Sequence, residues 1–220
     1  MKVIISGYGR MGHIVEKELE RQGIELIEAS EDICAIPREV ARECVCIDFT
    51  TPDAFRRNYP VLAENFKAVV VGTTGWDDIR DEVIAAFERC GTPMIHSSNY
   101  SLGVMALLAG AARIGEVLRG KGYTPSITET HHIHKLDAPS GTARSLAGVV
   151  ADSIGAEPEI TSVREGEVAG IHTLVLASGV DRITLTHEAF SREGFAVGAV
   201  FAARLTEGLS GVHEFRELVL

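Results

Sequence analysis

Lys2-Val3-Ile4-Ile5-Ser6-Gly7-Tyr8-Gly9-Arg10-Met11-Gly12-His13-Ile14-Val15 is the stretch from which the fold is read. Val3–Ser6 is a short apolar run with the character of a buried strand, and Met11 to about Arg21 follows a helical pattern. Between them, Gly7-Tyr8-Gly9-Arg10-Met11-Gly12 fits G-x-G-x-x-G, after a strand and at the opening of a helix. Each glycine has a job in that setting: Gly7 permits the tight turn, Gly9 lets a pyrophosphate approach the backbone, and Gly12 lets helix pack on strand. The helix start offers unpaired N–H groups and the positive end of a dipole to a diphosphate. A dinucleotide is the expected ligand.

The same alternation continues outward from this turn. Gly23 ends the first helix, and Ile24–Glu28 and Val45–Phe49 read as the next strands. Thr50-Thr51-Pro52-Asp53 starts a helix with proline at an early position. Ala68–Val71 and Pro93–His96 are two more apolar strands, with a helix over Asp77–Arg89 between them. Strands alternating with helices imply βαβ units and a parallel, Rossmann-like sheet. Gly72-Thr73-Thr74-Gly75 and Ser97-Ser98-Asn99-Tyr100 each follow a strand, so both turns fall on the carboxyl rim beside Gly7–Gly12.

After Ser101 the pattern changes. Leu102–Leu118 is a long, apolar, alanine-rich helix. Strand-like runs follow at Ser126–His131, Glu159–Arg164, His172–Ser178 and Asp181–His187, interrupted by a helix from about Ser140 to Ile154. Strands without helices between them suggest an antiparallel or mixed sheet. The fold class is therefore α/β, a Rossmann-like dinucleotide-binding domain plus an α+β substrate and oligomerisation domain with a mixed sheet. The boundaries expected are 1–101 for the first domain, 102–191 for the second, and 192–220 for a segment returning to the first, whose helix Gly194–Thr206 is apolar enough to dock there.

Composition sets the outer limits. With 220 residues, 45% hydrophobic side chains, 21 basic against 31 acidic residues and a net charge of −10, the chain is of an ordinary globular class. The negative charge argues against nucleic acid as a partner. No apolar run approaches the roughly 20 residues that span a bilayer, and no signal-peptide pattern opens the chain, so a cytoplasmic protein without membrane partners is expected. Cys34, Cys44, Cys46 and Cys90 show no C-x-x-C spacing, and all four are expected to be buried free thiols.

A dinucleotide fold also needs an acid about 20 residues on, after the second strand, to bind the adenosine ribose. Glu28 and Glu31 are the candidates, with Asp32 following and no basic residue before Arg38. A 2′-phosphate meets negative charge here, so NADH is the expected coenzyme and NADPH the alternative.

Chemistry concentrates in Glu129-Thr130-His131-His132-Ile133-His134-Lys135-Leu136-Asp137-Ala138-Pro139-Ser140-Gly141-Thr142-Ala143. Ser140-Gly141-Thr142 resembles an anion cradle, hydroxyls and N–H groups at a helix start, suited to a carboxylate. Lys135 adds a positive charge, and His131 or His132 supplies a proton donor that titrates near neutrality. His132-x-His134 has the spacing of two zinc ligands on one strand face, but no third or fourth ligand follows, so no metal is expected.

This segment, E-x-H-H-x-x-K-x-D-A-P-S-G-T-A over Glu129–Ala143, resembles the dihydrodipicolinate reductase family. Gly7–Gly12, Asp48-Phe49-Thr50, Gly72–Gly75, Asn99–Val104, Arg164–Thr173 and Phe195–Val200 are similar in the same order, although the glycine loop is one glycine shorter than the family's G-x-G-G-R-M-G. The resemblance implies that a pyridine nucleotide reduces a cyclic dicarboxylate of diaminopimelate and lysine biosynthesis, with His131 as acid/base and Lys135 as proton donor. It implies substrate contacts from His132, Gly141 and Thr142, with Ser140 at the same cradle. Dinucleotide contacts are implied for Gly7, Tyr8, Gly9, Arg10, Met11, Gly12, Gly72, Thr73, Thr74, Ser97, Ser98, Asn99 and Tyr100. It favours Glu31 over Glu28 at the ribose, and implies a homotetramer built on the second domain's sheet and a hinge that closes over both ligands. Two other classes use part of this set: a different NAD-dependent reductase acting on a small amino acid or imine, and a dinucleotide-sensing module without catalysis.

Overall fold

The computed structural model describes residues 1–220 and divides them into two compact units, Met1–Ser101 with Glu193–Val219, and Leu102–Arg192 with Leu220. In chain order, the first unit begins β1 (Lys2–Ser6), α1 (Arg10–Arg21), β2 (Glu25–Ser30), α2 (Arg38–Ala41) and β3 (Cys44–Asp48). It continues α3 (Pro52–Asn65), β4 (Ala68–Val71), α4 (Arg80–Cys90) and β5 (Met94–His96). The second unit carries α5 (Leu102–Leu118), β6 (Thr124–His131), α6 (Gly141–Ile154), β7 (Glu159–Arg164), β8 (Gly170–Ala177) and β9 (Arg182–Ala189). The chain then completes the first unit with α7 (Glu193–Leu205), β10 (Val212–Glu214) and α8 (Phe215–Val219).

All six strands of the first unit are parallel, in the order β10-β5-β4-β3-β1-β2. β3 and β4 are buried along their whole length, which is why Val45–Ile47 and Ala68–Val71 are unbroken apolar runs rather than alternating ones. The strand order reverses beside β1, so the crevice of this sheet opens where the glycine turn leaves that strand. Thr51 caps α3 by accepting from the Ala54 N–H at 3.3 Å, and Pro52 stands at the first helical position, where its missing N–H costs nothing.

α7 packs against α1, β3 and β4. Its buried face is small (Ala196, Gly198, Ala199, Ala202, Ala203), and a Cβ at Gly198 falls on the Tyr100 carbonyl, so glycine there sets how closely helix and backbone approach. Residues 212–214 were not anticipated as a strand; they are too short and too mixed for a periodic signal and pair only with the three-residue β5.

In the second unit β6 runs parallel to β7 and antiparallel to β8, which is antiparallel to β9, a mixed sheet in the order β7-β6-β8-β9. α5 and α6 pack together and cover one face; Gly110 lies against Leu185 of β9, and Gly115 lies against Ser153. Burial along β6 alternates strictly, with Pro125, Ile127, Glu129 and His131 inward. Cross-strand register then aligns Ser162, Glu129, His172 and His187 in one row, and pairs His131 with Arg164 two positions on.

The expectation for the cysteines needs correction. Cys44 and Cys46 are buried on β3, but Cys34 and Cys90 are exposed, because they fall in a 3-10 turn and at a helix end rather than on the sheet. No helix is long and apolar enough to cross a membrane.

Candidate active site

On the first unit, the glycine turn is built for a close ligand. Gly7 has φ +88°, and a Cβ there would stand 2.5 Å from the Phe49 carbonyl oxygen. Gly12 faces the Gly7 carbonyl, so any side chain would push α1 off β1. At Gly9 a Cβ would meet nothing within 4 Å: the protein's own packing does not require glycine there, and the open space is where a diphosphate would approach. Gly9 caps α1 without a side-chain hydrogen bond, and the first turn holds no acid, so nothing offsets the positive end of the helix dipole. These residues fit a pyridine dinucleotide. Tyr8 folds back instead, its ring 3.9 Å from His13 and its hydroxyl donating to Glu16, while Arg10 stays exposed.

β2 extends two residues beyond the span expected from sequence, to Ser30, whose carbonyl accepts from the Gly7 N–H at 2.9 Å. Glu28 is thereby inside the strand, opposite Ile4, whereas Glu31 leaves the strand end beside the glycine turn. Asp32 is committed to capping the 3-10 turn that follows, accepting from the Cys34 N–H at 3.1 Å.

A buried carboxylate that sequence reasoning left without a role organises the rest of this rim. Asp48, at the end of β3, accepts from Ser6 at 2.7 Å, Thr73 at 2.6 Å and Thr50 at 3.2 Å, tying the loops after β1, β3 and β4 together. Burial pushes its pKa up, against the three hydroxyl donors. The Thr73 hydroxyl also accepts from the Thr50 N–H at 2.7 Å and is fully used within the protein, while Thr74 is exposed. Ser97 is held by Asn99 and by Glu214 of β10, whose carboxylate accepts at 3.1 Å. Tyr100 is buried, with its hydroxyl 2.9 Å from the Val71 carbonyl and 3.0 Å from that of Ile95, so its side chain is a strut between strand ends. A cavity of about 60 Å³ lies between the loops after β4 and β5, lined by Thr73, Trp76, Arg80, His96 and Ser97. Burial, with Arg80 nearby, lowers the His96 pKa to about 4.

On the second unit the chemical segment begins at the end of β6. Glu129 is completely buried, yet its pKa is about 2: burial raises it, but hydrogen bonds from Arg164, Ser162 and His131 outweigh burial. One oxygen, Oε2, faces His131 Nδ1. The other, Oε1, accepts from Arg164 Nη2 at 2.9 Å and from the Ser140 N–H at 3.3 Å. His131 is itself 8% exposed, and burial, with Lys135 and Arg164 nearby, lowers its pKa against the pull of Glu129, which raises it. Its free Nε2 is turned toward Gly170, where a Cβ would come within 3.0 Å.

His172 of β8 completes this cluster. Its ring is T-shaped to that of His131 with centroids 5.1 Å apart, and its Nε2 lies 3.1 Å from the Ser140 hydroxyl. Burial lowers its pKa to about 4, so it is neutral at physiological pH. Polar atoms of Glu129, His131 and His172 lie within 4.8 Å of one another, a grouping that only sheet register discloses, since His172 is 41 positions beyond His131.

Ser140 caps α6, accepting from the Ala143 N–H at 3.2 Å, and is 2% exposed. Its hydroxyl is occupied by the cap and by His172; Gly141 is exposed, with nothing within 4 Å of a Cβ, and Thr142 beside it is half-buried. Lys135 Nζ pairs with Asp137 at 2.7 Å. The strand ends at His131, so His132 and His134 lie in a turn rather than on one strand face, their rings 6.0 Å apart; His134 is exposed and faces Glu167.

Two family models match the chain: "Dihydrodipicolinate reductase, C-terminus" over residues 103–219 and "Dihydrodipicolinate reductase, N-terminus" over residues 32–100. The glycine turn precedes the matched residues, and its reading rests on its geometry. A 4-hydroxy-tetrahydrodipicolinate reductase of Christiangramia forsetii is 31% identical, covering 100% of this chain and 98% of the relative. Another from Xanthomonas euvesicatoria pv. vesicatoria is 34% identical, with the same coverage. Among solved structures, dipicolinate-bound dihydrodipicolinate reductase from Paenisporosarcina sp. TG-14 superposes with a TM-score of 0.79 at 20% identity, over 99% of both chains, a likeness of fold.

The buried groups make stability depend on pH. An unfolded imidazole gains its proton near pH 6.5, whereas folded His172 resists protonation until about 4; between these values the unfolded chain binds more protons. Stability therefore falls as pH drops from 6.5 to 4, and the Glu129 contribution is lost below that, from 4.5 toward 2. His172→Asn should make the fall in Tm between pH 7 and pH 5 shallower, by an amount worth on the order of 1 kcal/mol. Thermal unfolding across that range measures it.

Proposed function

The chain belongs to the dihydrodipicolinate reductase family, and we propose that it carries out the NAD(P)H-dependent reduction of 4-hydroxy-tetrahydrodipicolinate with the residues around 129–142 of its second unit. The observation that carries this assignment of residues is the buried Glu129–His131 pair beside the open start of α6. When bound, the nicotinamide supplies the hydride. Everything else falls to the protein: gripping a doubly negative ring while its 4-hydroxyl leaves as water, and giving a proton to the carbon next to the one that receives the hydride.

Grip comes from the α6 start, where Gly141 and Thr142 present N–H groups and the positive dipole end to a carboxylate. Lys135 adds a full charge, and its ion pair with Asp137 holds the ammonium until a substrate carboxylate competes for it. His132 stands in the same turn. Proton delivery belongs to His131: Glu129 engages Nδ1, so Nε2 is the atom that gains and loses the proton, and the depressed pKa makes the imidazolium a readier acid. Lys135 is the second donor. His131→Ala and Lys135→Ala should each lower kcat by about a hundredfold. Fluorescence titration should find the NADH Kd of both variants within about twofold of the parent. Parent-like turnover in both contradicts these roles.

For the coenzyme we propose Gly7–Gly12 at the diphosphate, Glu31 at the adenosine ribose, and Gly72, Thr74, Ser98 and Asn99 toward the nicotinamide, with Thr73, Ser97 and Tyr100 shaping that rim from behind. Glu31 next to Asp32 supports a preference for NADH. The ratio of kcat/KM values should favour NADH by about tenfold, and Glu31→Ala should reduce that ratio chiefly through the KM for NADH. A tenfold preference for NADPH contradicts it.

We also propose a homotetramer. The face of the four-stranded sheet opposite α5 and α6 carries Thr128, Ile171, Thr173, Val175, Thr184 and Thr186, β-branched side chains left exposed or half-buried. Light scattering should give about four times the mass of one chain; a monomer at micromolar concentration contradicts it. The reaction draws on cytoplasmic pyridine nucleotide, and the cytoplasm is where we place the enzyme.

A further inference from the structure

Arg164, the last residue of β7, makes four hydrogen bonds through one guanidinium. Nη2 donates to Glu129 Oε1 at 2.9 Å and to the Asp137 carbonyl at 2.6 Å; Nε donates to the Lys135 carbonyl at 3.3 Å, and Nη1 to the Val163 carbonyl at 2.7 Å. Two of these acceptors belong to the turn that carries Lys135, and one belongs to the carboxylate that holds His131. Backbone bonds tie the same turn to the same end of β7: Glu165 N–H to the His131 carbonyl at 2.8 Å, and Ile133 N–H to the Gly166 carbonyl at 3.1 Å. The two proposed proton donors are therefore joined through a single side chain, in a part of the chain with no regular structure between His131 and Gly141.

We propose that Arg164 is a positioning residue of the reductase: through its fork it fixes the Lys135 turn relative to His131, and through Glu129 it sets how firmly His131 holds its proton. This rests on the reading of His131 as the acid. A planar guanidinium suits the task because its donors leave in fixed directions and reach a carboxylate and two carbonyls together, which an ammonium does not. The charged groups facing His131 are Glu129 on its own strand, Arg164 on β7 and Lys135 on the turn, with the neutral ring of His172 on β8; Arg144 of α6 is turned onto the Pro139 carbonyl. Arg164 and Lys135 oppose protonation of His131 and Glu129 favours it. Removing the Arg164 charge leaves Glu129 with a smaller set of competing partners and takes one cation away, so both effects raise the affinity of His131 for its proton.

Arg164→Gln and Arg164→Lys separate the two parts of the role. In Arg164→Gln, NMR titration should move the His131 pKa upward by about half a unit to one unit, and the alkaline limb of kcat/KM should move up with it. Arg164→Lys keeps a cation but loses the fork: its alkaline limb should stay near the parent's, while kcat falls about ten- to hundredfold from the misplaced turn, with the NADH Kd unchanged. A His131 pKa and limb unmoved in Arg164→Gln, with parent-like kcat in Arg164→Lys, overturns the inference. A merely structural arginine lowers Tm and the active fraction without shifting either pKa or limb, and that result overturns it too. If the NMR pKa rises while the activity limb stays put, Arg164 acts on His131 as inferred and the role of His131 as the acid is what fails.

Discussion

A carboxylate sealed in a protein interior must be neutralised by protonation or surrounded by donors, because burial alone makes the ionised form costly by several kcal/mol. Glu129 is surrounded. Arg164, Ser162, His131 and the Ser140 N–H come to it from β7, β6 and the start of α6, and together they keep it ionised to about pH 2. Each element of the second unit that carries chemistry is thus anchored to one charge. The sheet register places Ser162 and His172 on either side of it, and the strict alternation of β6 puts His131 two residues on, facing the same way.

The first unit repeats the device with a different partner set. Asp48 is as buried as Glu129 but is met by hydroxyls rather than cations, so burial is the larger influence and its pKa rises. Its function is geometric: Ser6, Thr50 and Thr73 are drawn to one point, and the glycine turn, the β3 loop and the β4 loop share a rim. Three hydroxyl donors hold the loops without presenting a positive charge that would compete with Arg10 or the α1 dipole for a diphosphate.

Much of this was legible in the sequence where the physics is local. The glycine pattern, the proline at the start of α3, the unbroken apolar runs of β3 and β4 and the helix Leu102–Leu118 are all nearest-neighbour signals, and the structure carries them nearly residue for residue. Ser140 reads correctly as a helix cap from its surroundings, but its burial and its bond to His172 depend on a strand 30 residues later, so its hydroxyl looked free. The protein partners of the Tyr100 and Thr73 hydroxyls are likewise invisible in a list of rim residues, because Val71, Ile95 and Asp48 come from other strands. Arg164 and His172 fall in a stretch that the family resemblance marks, but nothing local names their partners; register brings them to Glu129 and His131, and a three-residue edge strand brings Glu214 to Ser97. The shared strand face read for His132 and His134 fails because β6 ends at His131, three residues short of His134.

What remains central is that an ionised Glu129 dictates the proton inventory of His131. ¹⁵N NMR of the histidine side chains in the native protein reads that most directly. The account predicts a neutral His131 protonated on Nδ1, with Nε2 titrating below the ordinary value near 6.5. A neutral ring protonated on Nε2, or a pKa at or above that value, would contradict it.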